Sequence, residues 1–188
     1  LAAGLAAAPG KPLVNSVSGE TRRLDAVLPL VKDRGAAVIG LAMDDRGIPK
    51  TPEERVAVAE RILERAARMG IPAEDVIIDP LVLTVGSDSK AALVTLHTIE
   101  LVRKAFGVNI NLGASNVSFG LPERPALNQT FLALAMQSGA TCSITDPLKL
   151  ATTIRATDLL LGRDKNALRF IKYFRQAEGL RAKEKETT

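Results

Sequence analysis

Regular alternation along the chain predicts an α/β fold with parallel strands, and three observations carry that reading. Apolar strand-like runs recur at Leu13–Val17, Ala36–Met43, Val76–Leu83, Val108–Ser115 and Thr141–Thr145, separated by stretches of helical periodicity. No hairpin signal joins neighbouring runs, so they connect by crossovers and run parallel. Polar residues recur at or near the run ends, at Asn15, Asp44, Asp79, Asn116 and Asp146. The first two observations suit an open doubly wound sheet or a (β/α)8 TIM barrel equally. The third favours the barrel, whose βα-loops share one mouth. No Gly-x-Gly-x-x-Gly loop follows any run, so the dinucleotide-binding sheet lacks its fingerprint. Five runs are too few to close a barrel, so the chain is expected to supply its last five βα units, with the missing strands preceding Leu1.

Each element has its own local warrant. The opening segment Leu1–Ala8 is apolar without a charged leader, which argues against a signal peptide and for the end of a helix inside a longer protein. Leu24, Val27, Leu28 and Val31 fall three and four apart and predict a helix over Thr21–Arg34. Asp44 and Asp45 with Gly47 read as an ordinary loop. Thr51-Pro52-Glu53-Glu54 supplies an N-cap, a first-turn proline and acidic first-turn residues, and Gly70 ends that helix. The β-branched run Val76-Ile77-Ile78 drives into Asp79-Pro80. Helices are expected at Lys90–Phe106, at Pro125–Ser138 before Gly139, at Leu148–Leu161 and at Ala167–Gln176. Residues 1–178 are expected to form the partial barrel. Residues 179–188 are charged and poor in apolar side chains, and are expected to be disordered.

Composition narrows the function classes. With 46% hydrophobic residues and 3% aromatics, the core must be built from Ala, Val, Ile and Leu, which suits layered α/β packing. Arg61, Glu64, Arg65 and Arg68 fall at helical spacing and read as a solvated face with paired charges. No basic stripe with interleaved aromatics occurs, so nucleic acid is not expected as a partner. No run is long enough to span a membrane. Cys142 and His97 are each the only residue of their type, which excludes an internal disulfide and leaves a His-based metal site without support. Cys142 lies in an apolar run and is expected to be buried. A cytoplasmic compartment fits this usage.

The densest chemistry lies in Asn111-Leu112-Gly113-Ala114-Ser115-Asn116-Val117-Ser118, an apolar run passing into small polar side chains. Such residues are out of place in a core and at home in a βα-loop site. Asn116 could also cap the turn before Gly120, Asp79 could form the turn at Pro80, and Ser16 and Ser18 could satisfy loop backbone beside Asn15. The apolar run into Asp79 and the serines flanking Asn116 favour the functional reading. Asp146 is open between a helix cap and a mouth residue, and Arg124 between a loop brace and a helix start.

Taken together, Leu13-Val14-Asn15-Ser16, Gly35–Met43, Asp44–Lys50, Ile78-Asp79-Pro80-Leu81, Ser115-Asn116-Val117-Ser118 and Arg124–Ala133 resemble the pterin-binding methyltetrahydrofolate:corrinoid protein methyltransferases, in order and to about Gln176. The resemblance implies an eight-stranded barrel of which this chain holds strands four to eight. It implies that Asn15 and Asp79 hold the pterin, that Asn116 with Ser115 lies beside N5, and that Asn116 is the catalytic residue. The implied activity moves the N5-methyl group of methyltetrahydrofolate to the Co(I) of a cobalamin (corrinoid) presented by a partner corrinoid protein. No tightly bound cofactor and no metal site is implied, and the full-length protein is expected to be a homodimer. The family's further pterin-binding Asp has no counterpart here, and Phe119 stands where some members carry a polar residue. Two alternatives remain, a dihydropteroate synthase-like pterin enzyme and a non-catalytic folate-binding fragment. The synthase's Ser-Arg-Lys cations are replaced here by Ser-Asn-Val-Ser.

Overall fold

The computed structural model describes residues 1–176, so the tail expected at 179–188 lies outside the described residues. The chain forms two compact units, Leu1–Thr145 and Asp146–Thr188. In the first, β1 (Leu13–Ser18), β2 (Ala37–Leu41) and β3 (Val76–Asp79) make a parallel sheet in that order. Helix α1 (Ala2–Ala7) precedes it, α2 (Thr21–Arg34) and α3 (Pro52–Arg68) form the crossovers, and α4 (Ala91–Phe106) and α5 (Arg124–Ser138) follow. The helices lie within a residue or two of their sequence positions because the punctuation works as read. Thr51 caps α3 in a capping box, its Oγ1 accepting from Glu54 N–H at 3.3 Å while Glu54 accepts from Thr51 N–H. Gly35, Gly70, Gly107 and Gly139 carry the chain out of four helices at positive φ.

Beyond β3 the pairing continues without regular strands. Ile78 N–H donates to Asn109 O and Asn111 N–H donates to Ile78 O, both at 2.9 Å, and Ile110 pairs in parallel with Ile78. Thr141 and Cys142 N–H donate in turn to Ile110 O, and Ile144 N–H to Leu112 O. The runs expected as strands over Val108–Ser115 and Thr141–Thr145 are therefore not strands: they follow β3 through one isolated bridge and scattered hydrogen bonds. At Ile110 a hydroxyl stands in for a backbone acceptor, its N–H donating to Thr141 Oγ1 at 2.9 Å, whereas Ser143 Oγ–H joins Ile144 N–H on Leu112 O. The first of these runs also ends early, turning into a 3-10 helix at Ala114–Ser118. The run expected to Leu83 stops as a strand at Asp79, because Pro80 has no N–H and Leu81 turns the chain at φ 65°.

The sheet has two unlike faces. Val14, Val38, Gly40, Val76 and Ile78 are buried on the side covered by the crossover helices. A methyl group on Gly40 would stand 2.9 Å from Ile62 of α3, so the helix lies closer to the sheet than any side chain there would allow. By strand alternation and register, Asn15, Ile39, Ile77 and Asp79 occupy the opposite face, joined by Asn109 and Asn111 through the Ile78–Ile110 pairing.

Two expectations are corrected. Cys142 is exposed rather than buried, because it lies on the outermost hydrogen-bonded segment and no described residue pairs along its far side. Asp44 is not an ordinary loop residue. Its side chain is 4% exposed and receives Arg61 Nη2 at 2.6 Å, Arg46 Nη2 at 3.1 Å and Arg46 N–H at 3.0 Å. Asp44 and Gly47 exchange backbone hydrogen bonds around it, closing the loop after β2.

In the second unit, Asp146 caps α6 (Pro147–Leu160) by accepting from Leu148 N–H, which settles its role as a cap. Residues 168–176 form another helix, opened by the buried Asp164 accepting from Arg169 and Phe170 N–H at 3.0 and 2.8 Å. Among the described residues no helix is long and apolar enough to cross a membrane.

The guanidinium groups of Arg46 and Arg61 hold the Asp44 carboxyl down at about 2, from an ordinary 3.8. Because the folded value is depressed, the stability Asp44 contributes is complete above about pH 4 and lost as the pH falls through about 2. Urea unfolding of the protein and of Asp44→Asn, from about pH 6 to about pH 2, is expected to show a gap that closes towards acid. A gap independent of pH would show that the ion pairs contribute nothing.

Candidate active site

The polar face of the sheet converges on Asp79. Register sets Ser18, Leu41 and Asp79 level at the carboxyl ends of the three strands. Asp79 is 7% exposed, and each carboxylate oxygen receives one donor: Leu81 N–H reaches Oδ1 and Asn111 Nδ2 reaches Oδ2, both at 2.9 Å. The first is the Asx turn that the Asp-Pro sequence invites. Burial pushes the carboxyl up from its ordinary value, against the pull of the Leu81 N–H and the Asn111 amide. Each oxygen keeps acceptor capacity for one more donor.

The Asp79-Pro80-Leu81 turn is held from behind. Arg55, in the first turns of α3, is 2% exposed and donates from Nη1 to Pro80 O and Leu81 O and from Nε to Pro49 O, all at 2.9 Å. Thr95 Oγ1 also donates to Leu81 O. Farther along the same loop, Thr84 Oγ1 donates to Phe119 O at 2.6 Å and Val85 N–H to Val117 O at 3.0 Å. The loop after β3 is thus stitched to the 3-10 helix that carries Asn116.

That helix has its own brace. Arg124 Nε donates to Ser118 Oγ at 3.0 Å and Nη2 to Ser115 O at 3.2 Å, while Ser118 Oγ–H donates to Asn128 Oδ1 at 2.7 Å. The Arg124 guanidinium also lies 4.7 Å from the centre of the half-exposed Phe119 ring. Arg124 is therefore a loop brace. Asn116 folds over Gly113, where a methyl group would stand 3.1 Å from its Nδ2.

Of the residues singled out in the sequence, Asp79 is buried and partly satisfied, whereas Asn15 is exposed and Ser115 and Asn116 half-buried. Asn15 pairs with Ile39 and through it with Ile77, so it shares the face of Asp79 but lies lower on the sheet, at a register shift in β1. The side chains of Asn15 and Asn116 hydrogen-bond to no described residue and to neither each other nor Asp79. Ser115 contributes its carbonyl, to Arg124. Asn111 and Arg55 were missed. The alternation Val108-Asn109-Ile110-Asn111-Leu112 puts both asparagines on the face of Asp79 and could have found Asn111. Arg55 left no such signal, since it looks like any basic residue of a charged helix. No group of residues suited to hold a metal ion occurs among the described residues.

The parallel α/β fold thus carries a half-satisfied buried carboxylate on one face of its sheet. The chain belongs to the pterin-binding enzymes, whose family model matches residues 1–146. It is 35% identical over 171 residues to a methylcorrinoid:tetrahydrofolate methyltransferase of Eubacterium limosum, covering 88% of this chain and 63% of that protein. Methionine synthases of Mycobacterium leprae and Mycobacterium tuberculosis are 32% and 31% identical over 163 residues, 80% of this chain and 14% of theirs. The chain thus spans less than two thirds of the length of these relatives. A dihydropteroate synthetase structure with a bound product superposes with a TM-score of 0.61 at 16% identity, covering 82% of this chain and 60% of that one. A Yersinia pestis DHPS with a pterine-sulfa conjugate gives 0.56 at 14%, covering 86% and 87%. At these identities the likeness shows the fold alone.

Asn111→Leu removes the donor on Oδ2 while keeping similar volume. The Asp79 carboxyl, already raised by burial, is expected to rise further, read as a higher titration midpoint of its carboxyl carbon by NMR. An unchanged midpoint would mean that the amide does not hold the charge.

Proposed function

We propose that this chain is part of a methyltransferase that moves a methyl group between N5 of tetrahydrofolate and the cobalt of a corrinoid presented by a partner protein. The observation that carries this reading is the Asp79 carboxylate, one acceptor position open on each oxygen, in a chain of the pterin-binding family. A reduced pterin offers a ring N–H and an exocyclic amine side by side, and a carboxylate with two open positions accepts both. Charged hydrogen bonds of this kind contribute roughly 1.5–3 kcal/mol each. Asn15, on the same sheet face with its amide unpartnered, presents both a donor and an acceptor to the ring.

The corrinoid supplies the nucleophile as Co(I), so this chain needs no nucleophilic side chain. As the methyl group leaves, the N–C bond breaks and its electron pair stays on N5, which takes a proton from solvent. We assign Asn116, with Ser115 beside it, to N5, where a free amide can donate to or accept from the nitrogen as its protonation changes. The same contacts serve transfer in either direction. The Eubacterium limosum relative is named for transfer from methylcorrinoid, and our assignment takes methyltetrahydrofolate as donor. A dihydropteroate synthase role is disfavoured because the Ser-Asn-Val-Ser segment offers no cation for a departing pyrophosphate.

The five hydrogen-bonded segments are read as strands four to eight of a (β/α)8 barrel, with residues 1–178 contributing to it. The polar face of the sheet would then line the interior and the open edges would pair with strands from the rest of the protein. Full-length protein is expected to be a cytoplasmic homodimer.

With full-length protein, addition of methyltetrahydrofolate is expected to bleach the cob(I)alamin absorbance rapidly. Asn116→Ala should slow this by about 10²–10³-fold, the typical effect of losing one transition-state hydrogen-bonding group. Asp79→Asn should instead weaken folate affinity by roughly tenfold to a hundredfold. Tight folate binding without bleaching would overturn the methyltransferase reading and leave a binding module.

A further inference from the structure

We propose that Arg55 is a positioning residue of the pterin site, fixing the Asp79-Pro80-Leu81 turn from behind and thereby the direction of the Asp79 carboxylate. The proposal rests on the pterin role given to Asp79 above. Arg55 occupies a place that ordinarily disfavours a cation. It is buried, it lies in the first turns of α3 at the positive end of the helix dipole, and no carboxylate of the described residues pairs with it. Its partners are three carbonyl oxygens from two βα-loops, Pro49 after β2 and Pro80 and Leu81 after β3. A buried charge spent on loop carbonyls fixes loop geometry.

The link to Asp79 runs through one residue. Leu81 has φ 65°, a conformation that a leucine avoids unless its surroundings impose it. Its carbonyl is gripped by Arg55 Nη1 and Thr95 Oγ1, and its N–H is the donor on Asp79 Oδ1. Freed of the grip, Leu81 can relax to negative φ, which turns that N–H away from the carboxylate. Lysine cannot substitute, because one ammonium on a flexible stem does not hold Pro49 O on one side and Pro80 O with Leu81 O on the other.

The test is methyltetrahydrofolate affinity, by titration calorimetry on full-length protein, beside the thermal midpoint of each variant. Arg55→Lys is expected to weaken binding at least tenfold, and to cost nothing further when Asp79 is already Asn. Adding Leu81→Gly to Arg55→Lys should restore part of the affinity, since glycine adopts φ near 65° without the steric cost that leucine carries there. A merely structural role would give neither the non-additivity nor the rescue. Unchanged affinity in Arg55→Lys beside a weakened Asp79→Asn overturns the positioning role, as do losses that multiply in the double variant. Unchanged affinity in Asp79→Asn overturns the pterin reading itself. Should Arg55→Lys fail to fold, Thr95→Val removes the other donor to the same carbonyl. Weaker binding at an unchanged thermal midpoint then supports the proposal, and unchanged binding overturns it.

Discussion

The buried guanidinium of Arg55 is the contact on which the loop side of the sheet depends. Three hydrogen bonds of 2.9 Å tie the start of α3 to the loops after β2 and β3. The capping box at Thr51 and Glu54 fixes where α3 begins, and so where Arg55 stands. From the gripped turn, Thr84 and Val85 pass the constraint to Phe119 and Val117, and Arg124 holds the same segment from its other end. Backbone carbonyls and N–H groups carry most of these links. Loop shape therefore tolerates change in many exposed side chains but not in the few buried ones that grip it.

A parallel sheet is ordinarily covered on both faces, and its strands read as continuous apolar runs. This sheet departs from that pattern in an ordered way. Its helix-covered face is Val, Ile and Gly, with Gly40 bringing α3 close, whereas its other face alternates apolar residues with Asn15, Asp79, Asn109 and Asn111. An open sheet with helices on both sides would bury those four polar groups against apolar helix surface, each costing a few kcal/mol without a partner. A face that encloses a polar ligand puts the same groups to use, which supports the barrel reading over the doubly wound one.

Elements specified by local chemistry were legible in the sequence. Thr51-Pro52-Glu53-Glu54, the terminating glycines and the β-branched run into Asp79 each act within a few residues, and each stands where its chemistry places it. What was not legible depends on partners distant in sequence. Asp44 reads as a loop residue until Arg61, one helix away, is brought to it. Arg55 reads as a solvated helix residue until two loops fold over it. Cys142 reads as core because its neighbours are apolar, but its exposure is decided by what pairs alongside its segment. The irregular segments at 109–111 and 141–144 carry strand-like composition, but at Ile110 N–H a hydroxyl replaces the backbone partner that a periodic pattern presumes.

The separation of Arg55 from Asp79 is the most telling choice in the site. A buried arginine whose carbonyl partners are the two residues after a buried aspartate could pair with that aspartate directly, though a buried ion pair does not by itself repay its desolvation. Here the guanidinium takes the carbonyls of Pro80 and Leu81, and the carboxylate takes one N–H and one amide. The carboxyl is left raised in pKa by burial, with only two donors to stabilise its charge. Direct pairing would lower that value and fill the acceptor positions of Asp79. With the cation held on the neighbouring carbonyls, the carboxylate keeps one donor on each oxygen and an open acceptor position beside it.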